Sequence, residues 1–239
     1  MVAHLHAPLL VGVATRVETM HRVAALPAGA SGVDVLEARV DLFGAPDVAA
    51  WLDSCARIEA GGTRVLVTIR HASEGGRWTR PDAERMPLYL EAMGAASWVD
   101  VEAASPIAAE VAAAARARGR TAVLSHHDFA KTPSLDELER VVTSCRTLGA
   151  DVAKVATKVT TPQDRETLFA LLRAHPDATC VIGMGEESLR TELAARGSLL
   201  AYAYFDEPTA PGQPSVAELD ARLRAASPAY AARRVTAST

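Results

Sequence analysis

Asp151-Val-Ala-Lys-Val-Ala156 is an apolar run with one lysine at its centre. Its β-branched valines and its length read as a buried strand. Alternation places Val152, Lys154 and Ala156 on one face and Ala153 and Val155 on the other. Lys131, Lys154 and Lys158 are the only lysines among 25 basic residues; the rest are arginine. A buried ammonium is costly unless it is paired or neutralised. Unlike arginine, a desolvated lysine can lose its proton and attack a carbonyl. A lysine snorkelling from a strand end, or held in a structural ion pair, is the alternative.

Similar runs recur on both sides of this one. Strands are expected at Leu9–Ala14, Val33–Val40, Arg64–Ile69, Trp98–Glu102, Ala122–Ser125, Val152–Val155, Thr179–Gly183 and Leu199–Tyr204. Helical stretches separate them, among them Asp47–Glu59, Arg80–Ala95, Pro106–Arg118, Ser134–Leu148, Pro162–Ala174 and Glu187–Arg196. Strands alternating with helices imply right-handed βαβ units and a parallel sheet. Eight such units in 239 residues point to one α/β domain, a (β/α)8 TIM barrel over residues 1–239. The tail after Ser227 has little periodicity and is expected to fray.

Composition narrows the function. The net charge is −4 with no block of like charges, which suggests neither a nucleic-acid surface nor a membrane surface. Cys55, Cys145 and Cys180 are odd in number and far apart, as expected of a reduced, cytoplasmic protein. The apolar run Ala7–Ala14 lacks a basic leader and reads as a first strand. Metal-ligand spacing, GxGxxG, a Walker loop and a GxSxG elbow are all missing.

In a TIM barrel, chemistry gathers at the C-terminal ends of the strands. Strand two places Glu37 and Arg39 on one face, close enough to pair and still meet a ligand. Strand three ends in Thr68-Ile-Arg70, followed by Glu74-Gly-Gly76, a turn able to fold over a site. Trp98, Asp100 and Glu102 share a face of strand four, with Arg39 and Arg70 as expected partners for Glu102. On strand five, His127 shares a face with Ser125, whereas His126 lies opposite. Lys158 falls beyond strand six and is expected at the surface or rim. After strand seven, Ser188 could cap a helix whose Arg190 reaches the mouth. After strand eight, Thr209 and Gln213 supply neutral hydrogen-bonding groups within a proline-rich loop.

A lysine nucleophile beside a histidine proton shuttle, ringed by arginines, suits imine chemistry on a small anionic carbonyl compound. Lowering a lysine pKa from about 10.4 to roughly 7–8 changes its protonation balance by about 3–5 kcal/mol, within what burial and nearby cations supply. The residues therefore describe a class I lyase, either an aldolase or a dehydratase.

Five motifs, in order, resemble type I 3-dehydroquinate dehydratases of the shikimate pathway, which contribute to aromatic amino acid biosynthesis. Glu37-Ala-Arg-Val-Asp41 is similar to that family's E-x-R-x-D strand. Thr68-Ile-Arg70 with Glu74-Gly-Gly76 resembles its T-x-R…E-G-G segment. Ser125-His-His-Asp-Phe129 with Thr132-Pro133 resembles its histidine block, Ala150–Ala156 its lysine strand, and Ala210-Pro-Gly-Gln213 its lid. The resemblance implies that 3-dehydroquinate becomes 3-dehydroshikimate and water through an imine on Lys154. His127 would act as acid and base, Glu74 would position it, and Glu37, Arg39 and Arg70 would hold substrate oxygens. Arg190 would grip the carboxylate, with Thr209 and Gln213 closing from the lid. No metal or organic cofactor is implied. The family is often dimeric, so a homodimer is a further expectation. Two departures stand out: the turn before Leu189-Arg190 is about two residues shorter than the family pattern, and Thr209 replaces a common serine.

Overall fold

The computed structural model describes residues 7–44 and 48–236. Eight strands form one parallel sheet: β1 (Leu9–Ala14), β2 (Val35–Arg39), β3 (Arg64–Thr68), β4 (Trp98–Glu102), β5 (Thr121–Asp128), β6 (Val152–Lys158), β7 (Thr179–Met184) and β8 (Leu200–Tyr204). They pair in chain order from β1 to β7, and β8 returns to pair with β1. The β7–β8 seam is bridged more sparsely. Leu199 donates its backbone N–H to Thr179 at 2.9 Å, and the Ser198 hydroxyl accepts from Val181 N at 2.9 Å. The result is a nearly closed (β/α)8 barrel.

Among the described residues the helices are α1 (Val17–Ala24), α2 (Val48–Ala60), α3 (Asp82–Ala92), α4 (Ala108–Ala117), α5 (Leu135–Thr147), α6 (Pro162–Ala174), α7 (Glu187–Ala195), α8 (Val216–Ala226) and α9 (Pro228–Thr236). Three starts are written locally as reciprocal capping boxes: Ser134 with Glu137, Thr161 with Asp164, and Ser215 with Glu218. Pro162 adds a residue suited to the first helical turn.

Strand alternation separates two cores. Val11, Val13, Val35, Leu66, Val123, Val152, Ala156, Cys180 and Leu200 fill the barrel interior. Leu36, Ala38, Val67, Val99, Leu124, Ala153, Val155 and Val181 pack under the helices. The face assigned to Lys154 from periodicity is therefore the interior face.

Several boundaries differ from the sequence expectation. β5 continues to Asp128 and β6 to Lys158, because backbone pairing runs on through His127–Ala156 and Lys158–Met184 after the apolar pattern stops. β2 starts at Val35; Asp34 turns its carboxylate to the Leu10 N–H at 2.7 Å. Asp47, expected to open a helix, lies outside the described residues. The segment after Ser227 is helical over α9 rather than frayed. Tyr230 is fully buried there and donates to Asp220 at 2.6 Å, and Arg233 pairs with Asp34 at 2.8 Å. Residues 237–239 lie outside the described residues. No described helix is long and apolar enough to cross a membrane.

Candidate active site

The C-terminal mouth of the barrel holds a cavity. Every site residue expected from the sequence lines it: Glu37, Arg39, Arg70, Glu74, His127, Lys154, Arg190, Thr209 and Gln213. Their convergence follows from strand pleat and register. Register sets Ser125 beside Lys154 and Lys154 beside Cys180 on neighbouring strands, and the pleat turns their side chains inward.

Lys154 is only 4 % exposed. Its Nζ donates to Asp100 Oδ2 at 2.9 Å and lies 3.8 Å from Glu37 Oε1. It also sits 4.3 Å from the centroid of the Tyr202 ring, within cation–π range. Asp100 itself is fully buried, and its other oxygen accepts from Ser125 at 2.6 Å and from Arg70 at 2.8 Å. Burial opposes ionisation of Asp100, but Arg70, Lys154 and the Ser125 hydroxyl outweigh it and hold the carboxyl well below the usual range.

Arg70 binds Asp100, Glu102 at 3.1 Å and the Ser125 hydroxyl at 2.7 Å. Glu102 has a second partner, but it is Arg85 of α3 at 2.8 Å rather than Arg39. Arg39 instead forks onto Asp41 at 2.9 and 2.8 Å, so the expected Glu37–Arg39 pair is not made. Two residues along a strand place side chains on one face, but the chain leaves β2 in a 3-10 turn that swings Asp41 back towards the guanidinium. Glu37 accepts from the Thr68 hydroxyl at 2.8 Å.

His127 and Glu74 form a tight pair. Glu74 Oε2 accepts the His127 backbone N–H at 2.9 Å and faces His127 Nδ1 at 2.9 Å. Burial, with Arg70, Lys154 and Arg39 nearby, pushes His127 well below its ordinary value, so the imidazole is neutral. Burial pushes Glu74 up to about 7, against the pull of Arg70. The turn carrying Glu74 depends on both glycines after it. Gly75 has φ 78° with the Phe129 ring against it, and a Cβ at Gly76 would lie 2.0 Å from the Arg70 carbonyl oxygen.

The opposite wall comes from the ends of β7 and β8. Ile182, Met184, Tyr202 and Ala210 give it an apolar surface. Arg190 is 5 % exposed and, among the described residues, donates to the lid carbonyls of Gly212 at 3.2 Å and Pro211 at 3.4 Å and to no carboxylate. Burial lowers its pKa to about 10. Gln213 Oε1 accepts from Thr209 N at 2.7 Å and Thr209 Oγ1 at 3.0 Å, which ties the lid to itself. Ser188 does not cap α7; its hydroxyl bonds the Glu186 side chain at 3.2 Å. Lys158 is exposed at the rim, as expected.

The family model for type I 3-dehydroquinase matches residues 11–228. The chain belongs to the type I 3-dehydroquinase family. It is 33 % identical over 204 residues to the 3-dehydroquinate dehydratase of Methanosarcina barkeri, covering 79 % of this chain and 83 % of that one. It is 35 % identical over 188 residues to the enzyme of the same name from Methanothermobacter thermautotrophicus, covering 78 % and 82 %. The crystal structure of the Aquifex aeolicus 3-dehydroquinate dehydratase superposes with a TM-score of 0.80 at 22 % identity, covering 91 % of this chain and 98 % of that one. That likeness concerns the fold. As a type I 3-dehydroquinase family member the chain is an enzyme, and the lysine strand, histidine pair and lid all fall within the matched residues.

Three members of the site were not singled out by sequence reading. Alternation puts Asp100 on the inward face, but no spacing pairs it with the lysine. Alternation in Leu200-Ala-Tyr-Ala-Tyr204 is the signal that turns Tyr202 inward. Arg85 had no local signal; it looks like any charged residue on a helix, yet it is fully buried. Among the described residues no group of three or more His, Cys, Asp or Glu side chains is arranged to hold a metal ion.

Proposed function

We propose that this enzyme dehydrates 3-dehydroquinate to 3-dehydroshikimate through an imine on Lys154. The observation that carries the reading is a buried primary amine sharing one cavity with the hydrogen-bonded His127–Glu74 pair and with Arg190, a buried cation that has no carboxylate partner among the described residues. Arg190 receives the substrate carboxylate, which replaces weak carbonyl contacts with a charge-assisted pair. That places the ketone carbon over Lys154.

The Lys154 ammonium passes its extra proton to Nε2 of His127, and the free amine attacks the C3 carbonyl carbon. The carbinolamine hydroxyl leaves as water with a proton supplied by His127, and a protonated imine remains. With Glu74 ionised, Nδ1 of His127 carries the proton and Nε2 is the basic atom. Nε2 then takes the proton from C2, and the C–H electron pair moves into the imine to give an enamine. The enamine returns those electrons and expels the C1 hydroxyl, which takes the proton held by His127. Water hydrolyses the product imine and restores the Lys154 amine. Glu37, Arg39, Thr209 and Gln213 hold substrate hydroxyls. Arg70 is fully engaged with Asp100, Glu102 and Ser125 and acts as much on the carboxylates as on the substrate.

The test is reductive trapping. Protein incubated with 3-dehydroquinate is reduced with borohydride, digested and weighed, and 3-dehydroshikimate absorbance is followed in an unreduced sample. The expected result is an adduct on Lys154 together with rising product absorbance. Folded protein that forms product but carries no adduct would overturn the imine; C–C cleavage products would point to an aldolase instead.

A further inference from the structure

Lys154 meets its two carboxylates unequally. Asp100 Oδ2 lies 2.9 Å from Nζ, and Lys154 is the partner the structure gives that oxygen. Glu37 Oε1 lies 3.8 Å away and already accepts the Thr68 hydroxyl at 2.8 Å. Asp100 is also the more firmly held. Ser125 and Arg70 fix Oδ1, its backbone carbonyl accepts from the buried Tyr89 hydroxyl at 2.8 Å, and no part of the residue reaches solvent.

We propose that Asp100 is the counter-ion of the Lys154 imine: its Oδ2 accepts the one N–H that the nitrogen keeps after condensation, and so maintains the imine in its protonated form. This rests on the imine reading given above. The balance is simple. The resting ammonium carries one positive charge and three N–H bonds. The protonated imine carries the same charge, one N–H bond and a double bond to carbon. Charge beside Asp100 is therefore the same at the start and at the intermediate, and the carboxylate need not move or change protonation. The protonated imine draws electrons from the neighbouring C–H bond; the neutral imine does so far less.

Every element around the nitrogen bears on this equilibrium. Glu37 on β2 and the Tyr202 ring face on β8 favour the charged form, as Asp100 on β4 does. Arg70 after β3 opposes it, while His127 on β5 is neutral and Cys180 on β7 is a buried thiol. A cation so close to Arg70 needs an opposing carboxylate at contact distance, and Asp100 is the carboxylate at that distance from both.

The experiment preforms the imine at saturating 3-dehydroquinate and measures its reduction by cyanoborohydride, which acts on protonated imines, as a function of pH. In Asp100→Asn, the pH at which reduction falls off is expected to drop by about one to three pH units relative to the unaltered protein. A kcat loss on the order of 100-fold should accompany it. Ser125→Ala, which loosens Asp100 without removing it, should shift the profile in the same direction by less. Should Asp100→Asn fail to fold, the Ser125→Ala profile decides: a downward shift supports the proposal and an unchanged one overturns it. An unchanged profile in folded Asp100→Asn, or a larger shift in Glu37→Gln, overturns it as well. No adduct in the unaltered protein would be a different result, removing the imine reading and this proposal with it.

Discussion

The two walls of the cavity treat buried positive charge in opposite ways. On the β2–β6 side each buried cation has a carboxylate: Arg39 has Asp41, Arg70 has Asp100 and Glu102, Arg85 has Asp82 and Glu102, and Lys154 has Asp100. On the β7–β8 side Arg190 is equally buried, yet among the described residues its hydrogen bonds go to two backbone carbonyls and to no carboxylate. A paired wall is complete as it stands; its charges are already solvated by one another and its geometry is fixed. An unpaired buried cation is incomplete until an anion arrives. On the proposed mechanism the first wall carries the reaction and the second the recognition of the substrate carboxylate.

The largest expected effect breaks the paired wall at its reacting atom. Lys154→Met keeps the stem length and removes the amine. Turnover is expected to fall on the order of 10^4-fold or more, while the far-ultraviolet circular dichroism stays that of a folded barrel. Retained turnover in a folded variant would make Lys154 one more structural cation, and the contrast between the walls would lose its catalytic half.

A smaller effect is expected on the recognition side. Arg190→Gln removes the unpaired charge but retains a donor for the lid. KM should rise about 10- to 100-fold, with kcat changed much less, because the contact to a carboxylate far from the reacting carbon is alike in ground and transition states. Without ligand the variant should be at least as stable as the parent, since no ion pair is lost. A kcat collapse at unchanged KM would show that Arg190 belongs to the chemistry instead.

The two walls were not equally legible in the sequence. Alternation located Lys154, His127 and Glu37, because each lies on a strand whose apolar neighbours declare which face is inward, and its extension two residues past β3 located Arg70. The same rule failed at strand ends. There polar side chains hide a continuing ladder, so β5 and β6 ran three residues longer than their apolar patterns. Pairing among charges was hardly legible. Asp41 competes for Arg39 through a turn, and Arg85 approaches Glu102 from a helix; neither proximity has a signature in spacing. The tail escaped for a related reason. Tyr230 finds its partner Asp220 on α8, a tertiary contact that periodicity within α9 alone does not disclose.

Glu74 tests the boundary of the paired wall. It is the one carboxylate there whose close partner is a neutral imidazole rather than a fixed cation, and burial pushes it up to about 7. Its sign differs from that of Asp100. A carboxyl raised from 4.5 to about 7 holds its proton more tightly when folded, so its contribution to stability is complete below about pH 4.5 and is lost as pH rises through about 7. Activity should move the other way, because only the ionised carboxylate keeps the Nδ1 proton on His127 and leaves Nε2 basic. Glu74→Gln should therefore become more stable relative to the parent as pH climbs from about 4.5 to about 7, and should lose the rise in kcat that the parent shows over the same range. The amide still accepts the His127 backbone N–H, so the turn should remain closed by Gly75 and Gly76. If the parent shows no rise in kcat near pH 7, or the variant keeps it, Glu74 is ionised throughout and joins the fully paired wall.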